Sequence, residues 1–331
     1  LETFDIFSPQ ISQIAEGLEG KMILVYGNNS TGKTKQGTRM KKPFYLGFEQ
    51  GIRAISGVPF LPINNWRDFK KINKQLTDPK TLAKAKELYQ TIIFDEVYTA
   101  SQYCQDYICK KYGVETIGEG NNGYGLWKEY EKEFWTELDR LMKAGYTLYF
   151  IGHAEYSKEE GKIVPKGDVR SMKVVRNNAD IVVYLTSNGV DENGKVILSS
   201  AWFAETDKFF ARSRFDYIDT YLETFTAENL EKVVIEAIRK QEEAEGIKAV
   251  SFEEQKKLFE SEELDYDELM NEIKEVGAKL TELDKLEELT EIVEKHLGIG
   301  AKVTQCTKNQ VQVMAVILDE IKELLEEAEQ E

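Results

Sequence analysis

The sequence predicts an α/β fold with a mainly parallel, doubly wound sheet, followed by an all-α, acidic C-terminal module. Three observations carry this expectation. A glycine-rich loop, GNNSTGKT at 27–34, stands between an apolar run and a helical stretch. Short apolar runs then alternate with segments of helical periodicity, the order that builds a parallel sheet with helices on its faces. From about Thr226 the β-type alternation stops, and Glu and Lys dominate. The expected domains are therefore 1–222 and 223–331.

Element by element, KMILVY (21–26) reads as a strand, 33–41 as a helix and PFYLGFE (43–49) as a second strand, which together make a βαβ opening. Pro59 and Pro62 mark a loop. In NNWRDFKKINKQL, Trp66, Phe69, Ile72 and Leu76 recur at helical spacing behind an Asn64 or Asn65 N-cap. QTIIFDE (90–96) is a short apolar strand ending in two acids, with a helix from about Ala100 to Cys109 after it. The loop GVETIGEGNNGYG (113–125) leads into a helix bearing Trp127, Tyr130, Phe134, Leu138 and Leu141, closed by Gly145. TLYFIGH (147–153) is a buried strand. IVVYLTS and KVILSSAWF pair as a hairpin around Glu192, Asn193 and Gly194, an antiparallel addition at one edge. Further on, helix starts of the Ser/Thr-x-x-Glu/Gln kind stand at Ser251–Glu254 and Thr307–Gln310, and the Glu-rich stretch 323–331 reads as a surface helix.

Composition narrows the function classes. The net charge is −16, yet residues 1–222 carry 30 Lys and Arg against 29 Asp and Glu, so the acidity belongs to 223–331, with 13 against 30. The first region can meet a polyanion through local basic loops, whereas the second is repelled by one. Cys104, Cys109 and Cys306 form no CxxC pair, and His153 and His296 lie far apart, which speaks against a zinc site or a disulfide framework. The opening LETFDIFSPQ lacks the basic stretch and apolar run of a signal peptide, and no apolar run is long enough to span a bilayer. A soluble, cytoplasmic protein with no membrane partner is expected.

The loop carries the clearest chemistry. In GNNSTGKT, residues Gly27, Asn28, Asn29, Ser30, Thr31 and Gly32 form a P-loop whose backbone N–H groups turn inward on the β-phosphate of ATP. Lys33 places a charge near the β and γ oxygens, and Thr34 ligates Mg2+. Asp95, closing the strand IIF, holds the magnesium through water. An acid must also orient or deprotonate the attacking water, and two stand at strand ends, Glu49 and Glu96. His153, at the tip of TLYFIG, is placed to sense the γ-phosphate. Beyond it, Lys158, Lys162, Lys166, Arg170, Lys173 and Arg176 are spaced to track a phosphate backbone, opposed by Glu155, Glu159, Glu160 and Asp168. The 113–125 loop, with Lys110, Lys111, Tyr112 and Tyr124 beside it, is a second such surface. Arg212 and Arg214 in KFFARSRF are suited to reach the γ-phosphate of a neighbouring subunit.

Together GNNSTGKT, YLGFEQG, the W-x-x-F of NNWRDF, TIIFDE, GYGLW, FIGHAE, NNADIVVYL and ARSRF resemble the phage-encoded RecA-like P-loop ATPases, the AAA-like nucleotide-binding proteins associated with single-strand annealing and recombination. The resemblance covers about residues 20–222. It implies a RecA-like core with ATP on Lys33 and Thr34, magnesium through Asp95 and Glu49 as the hydrolytic acid. It further implies His153 as γ-phosphate sensor, Arg212 and Arg214 acting across a subunit interface, and single-stranded DNA as ligand. A Glu at 96 and an Arg at 212 depart from the usual pattern, which in such cores has Ser or Thr, and Lys. Placement of Glu directly after the magnesium aspartate is instead the AAA-type arrangement. The expected activity is a DNA-stimulated ATPase of phage recombination or replication, working as a ring or filament of identical subunits in the bacterial host cytoplasm. The rival is a nucleotide-gated adaptor, akin to a helicase loader, whose acidic module recruits a helicase or single-strand-binding protein. A small-molecule kinase ranks below both, because no arginine-rich lid is legible.

Overall fold

A computed structural model describes residues 7–259 and 264–330. Residues 1–6 of the expected first domain, 260–263 of the expected helical module, and Glu331 of the expected terminal helix lie outside the described residues. The chain divides into two compact units, Leu1–Phe259 and Glu260–Glu331.

In the first unit the strands are β1 (Met22–Gly27), β2 (Pro43–Gly47), β3 (Phe60–Pro62), β4 (Thr91–Asp95), β5 (Thr147–Ser157), β6 (Lys162–Pro165), β7 (Ile181–Thr186), β8 (Ser200–Trp202), β9 (Arg212–Ser213) and β10 (Tyr221–Leu222). The helices are α1 (Lys33–Gly37), α2 (Trp66–Thr77), α3 (Pro79–Leu88), α4 (Val97–Tyr112), α5 (Trp127–Lys143), α6 (Val169–Asn178), α7 (Ala227–Glu245) and α8 (Phe252–Phe259). The sheet runs β10-β8-β7-β1-β5-β4-β2-β3. It is parallel from β7 to β3 and antiparallel at β8 and β10. The expected 181–203 hairpin is therefore the antiparallel edge, with Leu185 opposite Ala201.

Both faces of the sheet are buried, which is why β1 and β4 read as unbroken apolar runs. Side chains alternate across β1: Met22, Leu24 and Tyr26 enter a core shared with α2, α4, α5 and α6, while Ile23 and Val25 enter one closed by α7. The end of α5 is sealed as expected, with Gly145 N–H on the Met142 carbonyl at 2.8 Å and Tyr146 N–H on that of Leu141 at 3.1 Å.

Several elements differ from expectation. α1 stops at Gly37, not 41, and the chain turns towards β2. A separate helix, α3, follows α2 because Asp78 accepts from Lys80 N–H as an N-cap and Pro79 occupies the first helical position. A short edge strand, β3, stands where only a loop was expected. The polar stretch after His153 folds into regular elements. β5 continues to Ser157 and pairs with β6, and Asp168 caps α6.

The largest correction concerns the domain boundary. α7, assigned from sequence to the C-terminal module, belongs to the first unit: Phe225, Leu230, Val233, Val234, Ala237 and Ile238 are buried against the strand face carrying Ile23, Ile181 and Val183. The second unit comprises α9 (Tyr266–Glu282), α10 (Leu286–Leu297) and α11 (Val311–Gln330), with Leu280, Met314, Ile317, Leu318 and Ile321 at its centre. Among the described residues no helix is long and apolar enough to cross a membrane.

Burying each large aliphatic side chain of α7 contributes about 1.5–3 kcal/mol, so removing Leu230, Val233, Val234 and Ile238 forfeits an amount comparable with the roughly 5–15 kcal/mol that stabilises a domain. A chain ending at Leu222 is expected to lose its cooperative thermal transition, and one ending at Phe259 to keep it. Equal melting curves for the two truncations would contradict this assignment of α7.

Candidate nucleotide site

The P-loop follows β1 at the C-terminal edge of the parallel strands, where ligands sit in doubly wound sheets. Asn28, Asn29 and Ser30 are exposed at the loop crest. Gly32 has φ 86, a left-handed conformation in which a side chain is strained, and open space lies where its Cβ would stand. The Lys33 amine is buried and donates to the carbonyls of Gly27 at 2.8 Å and Asn28 at 2.7 Å. Thr31 Oγ1 donates to the Asn28 carbonyl at 2.9 Å. Burial lowers the Lys33 pKa from 10.5 to about 8, against the opposing pull of Asp95 and Glu96.

β5 lies between β1 and β4, so the P-loop strand and the Asp95 strand are not neighbours. Thr34 bridges the gap, and Tyr45 reaches Asp95 from β2 on the other side of β4. Asp95 Oδ2 accepts from Thr34 Oγ1 at 2.8 Å and from the Tyr45 hydroxyl at 2.9 Å. Its backbone carbonyl accepts from Phe48 N–H at 2.7 Å and Glu49 N–H at 2.9 Å. Burial raises the Asp95 pKa, while the donors Thr34 and Tyr45 oppose the rise.

The two candidate acids occupy different environments. Glu96 is 1 % exposed; its Oε2 accepts from Tyr98 N–H at 2.9 Å and so caps α4. Burial lifts its pKa from 4.5 to about 7, an effect that the Tyr98 contact reduces and nearby Glu49 adds to. Glu49 stands two residues beyond β2, with its side chain 44 % exposed. Thr99 Oγ1 donates to it at 3.2 Å, and His153 Nε2 lies 3.8 Å away. His153 itself pairs in register with Gly27 at the foot of the P-loop. Lys33, Thr34, Glu49, Asp95, Glu96 and His153 are therefore gathered at one edge.

Arg212 and Arg214 are at the other. β9 pairs with Ile181 and Val182, the start of β7, about 10 Å or more along the strands from Gly27 at 3.3 Å per residue. Arg212 donates to the carbonyls of Asn177 at 3.0 Å and Ala179 at 2.8 Å, and Arg214 to Asn177 at 3.2 Å. Both cations thus serve the C-terminus of α6 in their own chain, a favourable place for positive charge. The Arg214 guanidinium also lies 3.6 Å from Asp180.

The basic segment after His153 is also partly engaged. Arg176 makes a bidentate pair with Glu160 at 2.8 and 2.9 Å, Lys162 pairs with Glu205, and Lys173 lies 3.3 Å from Glu131. Arg170 lies over the Trp127 ring. The 113–125 loop forms two short 3-10 turns and leaves Tyr124 open to solvent. Sequence reasoning missed Tyr45, Thr99 and Gly51. A Cβ on Gly51 would stand 2.7 Å from Asp95 Oδ2, so only glycine lets the backbone pass the carboxylate this closely.

A P-loop lysine and threonine thus lie beside a buried strand-end aspartate. The AAA domain family matches residues 19–215, the stretch holding every one of these residues. The chain belongs to the AAA domain family. It is also 61 % identical over 323 residues to the "SPbeta prophage-derived uncharacterized protein YorG" of Bacillus subtilis (strain 168), covering 98 % of this chain and 99 % of that relative. An AAA domain binds nucleotide, typically with Mg2+, and the residues fit both groups. Among the described residues Lys33 is a buried cation held by neutral acceptors, and Thr34 and Asp95 place oxygen ligands together. Among the described residues no set of three His, Cys, Asp or Glu side chains is arranged to hold a metal by itself. A magnesium ion in this AAA domain would therefore take most of its ligands from phosphates and water.

Glu96 gives the site a pH signature. Its folded pKa of about 7 exceeds the ordinary 4.5, so the stability it permits is fully present below about pH 4.5 and is lost as pH rises through 7. The loss is on the order of 3 kcal/mol. Glu96→Gln, whose carbonyl oxygen can still accept from Tyr98 N–H, is expected to remove that decline and to raise the melting temperature at pH 8. An unaltered stability-against-pH curve for the variant would contradict the assigned burial.

Proposed function

We propose that the chain binds ATP with magnesium and hydrolyses it, in the service of phage recombination or replication on single-stranded DNA. The observation that carries the chemistry is the 2.8 Å contact between Thr34 and buried Asp95, because it brings the P-loop and the strand-end acid to one point. Loop N–H groups from Gly27 to Gly32 bind and orient the phosphates. The Lys33 ammonium exchanges neutral carbonyls for charged phosphate oxygens, a stronger set of acceptors. Magnesium, when bound, offsets charge on the β and γ oxygens.

Of the two acids, Glu49 is the better hydrolytic group. Its carboxylate is open to water, and its backbone is fixed by the Asp95 carbonyl. Glu96 spends its carboxylate on the α4 N-terminus and is held partly protonated near neutral pH. His153, between β1 and β4 and beside Glu49, is the γ-phosphate sensor of this reading. The DNA role and assembly into a homo-oligomer draw on the resemblance to phage RecA-like ATPases, and the prophage-derived relative supports the phage setting. Arg212 and Arg214 are bonded to the end of α6 in their own chain, and a role for them at a neighbouring subunit's γ-phosphate belongs to the homo-oligomer part of this proposal.

A second reading is favoured by charge. Residues 260–331 hold 7 Lys and Arg against 21 Asp and Glu. Such a unit suits a nucleotide-gated adaptor that recruits a replication or recombination partner through a cationic patch.

Steady-state ATP turnover with and without single-stranded DNA separates the two, stimulation favouring the first and indifference the second. Lys33→Ala is expected to reduce turnover to background. Glu49→Gln is expected to slow it by roughly 10²–10⁴-fold while ATP remains bound, and Glu96→Gln to keep it within about tenfold. Rapid hydrolysis by Glu49→Gln with loss in Glu96→Gln would transfer the hydrolytic role to Glu96.

A further inference from the structure

We infer that the groove bordered by α2, α4 and α5 is a binding surface for the phosphate backbone of single-stranded DNA, an inference that rests on the DNA role proposed above. The groove encloses about 620 Å³ and is lined by Arg67, Lys70, Lys71, Lys74, Tyr107 and Arg140, with Thr77 and Asp78 at its end. Its charge is local and set against the rest of the chain. Over 66–88, α2 and α3 carry seven Lys and Arg against three Asp and Glu, in a protein of net charge −16. Asp78 is used as the cap of α3, and Asp68 accepts from the Asn65 amide.

The cations fall into two groups. Lys70 lies 2.5 Å from Glu133 and 3.3 Å from Glu137, and Arg140 lies 3.1 Å from the same Glu137. Both acids are mostly buried, so these pairs form a fixed and nearly neutral floor. Arg67, Lys71 and Lys74 are exposed and make no ion pair among the described residues. At positions i, i+4 and i+7 they share one face of α2, spread over about 10 Å at 1.5 Å per residue. A row of that length exceeds a single phosphate group and suits a chain of them.

The ring of Tyr107 distinguishes a nucleic-acid strand from an acidic peptide. It forms part of the lining, half-buried, with Lys70 Nζ 5.2 Å from its centroid. An aromatic face beside a cationic row is the combination that holds backbone and base together in strand-binding grooves. A run of Asp and Glu side chains offers no flat ring to stack on it. This surface also differs from the two that sequence spacing pointed to; in the segment after His153, Arg176, Lys162 and Lys173 are paired with Glu160, Glu205 and Glu131.

The test is a titration of fluorescent oligothymidylate with the full chain, wild type against Arg67→Ala/Lys71→Ala/Lys74→Ala, over a range of salt. The variant is expected to bind at least tenfold more weakly at low salt. Its slope of log affinity against log salt should fall by about 2, at roughly 0.7 for each of the three phosphates that the alanines no longer neutralise. ATP turnover without DNA should be unchanged, since none of the three stands in the nucleotide site. If the wild type binds the strand and the variant binds it equally with the same slope, the groove assignment is overturned while the DNA role stands. If the wild type binds no strand, the DNA role fails and this inference with it. Tighter binding of polyglutamate or oligouridylate than of oligothymidylate would also overturn the assignment to DNA.

Discussion

The carboxylate and the backbone carbonyl of Asp95 bring four donors to one point. Its Oδ2 receives Thr34 from the P-loop side and Tyr45 from β2, and its carbonyl receives the N–H groups of Phe48 and Glu49. Gly51 passes so close that a Cβ there would stand 2.7 Å from the carboxylate and displace it. A buried carboxylate is costly unless its oxygens are hydrogen-bonded, so the Thr34 and Tyr45 hydroxyls offset the cost of burying Asp95 at the edge of the sheet. The same contacts place the remaining groups of the site. Glu49 is fixed because its own N–H is bonded to Asp95, and Glu96 begins α4 because it follows Asp95 in the chain. Fold and candidate chemistry thus share one anchor.

Much of this is legible in the sequence because it is local. The P-loop is eight consecutive residues, the hairpin has Gly194 at its turn, and α2 announces itself through the Asn65 cap and the spacing of Trp66, Phe69 and Leu76. What is not legible depends on pairing over long distances. Nothing in PFYLG shows that Tyr45 points at a carboxylate on the neighbouring strand. Nothing in KFFARSRF shows that β9 lies at the start of β7, which is what sends both arginines to α6. α7 goes to the wrong domain for a related reason: its apolar stripe fits a helical bundle as well as a sheet face, and only the strand order leaves that face of β1 and β7 to be covered. The cations after His153 read as a solvent-facing row because their spacing is regular, yet Glu160 and Glu205 lie opposite two of them once β5 and β6 pair.

Charge is partitioned as sharply as structure. The first unit is close to neutral and concentrates positive charge on α2 and α3, whereas residues 260–331 are strongly acidic. Nucleotide chemistry is gathered at the C-terminal edge of the parallel strands, while the arginine pair braces the opposite edge. The AAA domain therefore has an edge for phosphates of a nucleotide and a separate helical face whose charge suits phosphates of a strand. The acidic unit, with 7 Lys and Arg against 21 Asp and Glu, repels both kinds of phosphate.

The central claim is that this edge holds ATP through Lys33 and holds magnesium through Thr34 and Asp95. It is tested most directly by calorimetric titration of ATP into the full chain at pH 8, with and without Mg2+, in buffers of different ionisation enthalpy. The account predicts one nucleotide per chain, tighter binding with Mg2+, and proton uptake on binding. The uptake follows because Lys33, with a pKa lowered to about 8 by burial, becomes more fully protonated when phosphate oxygens replace its carbonyl partners. Absence of binding, or binding indifferent to Mg2+ and without proton uptake, would contradict it.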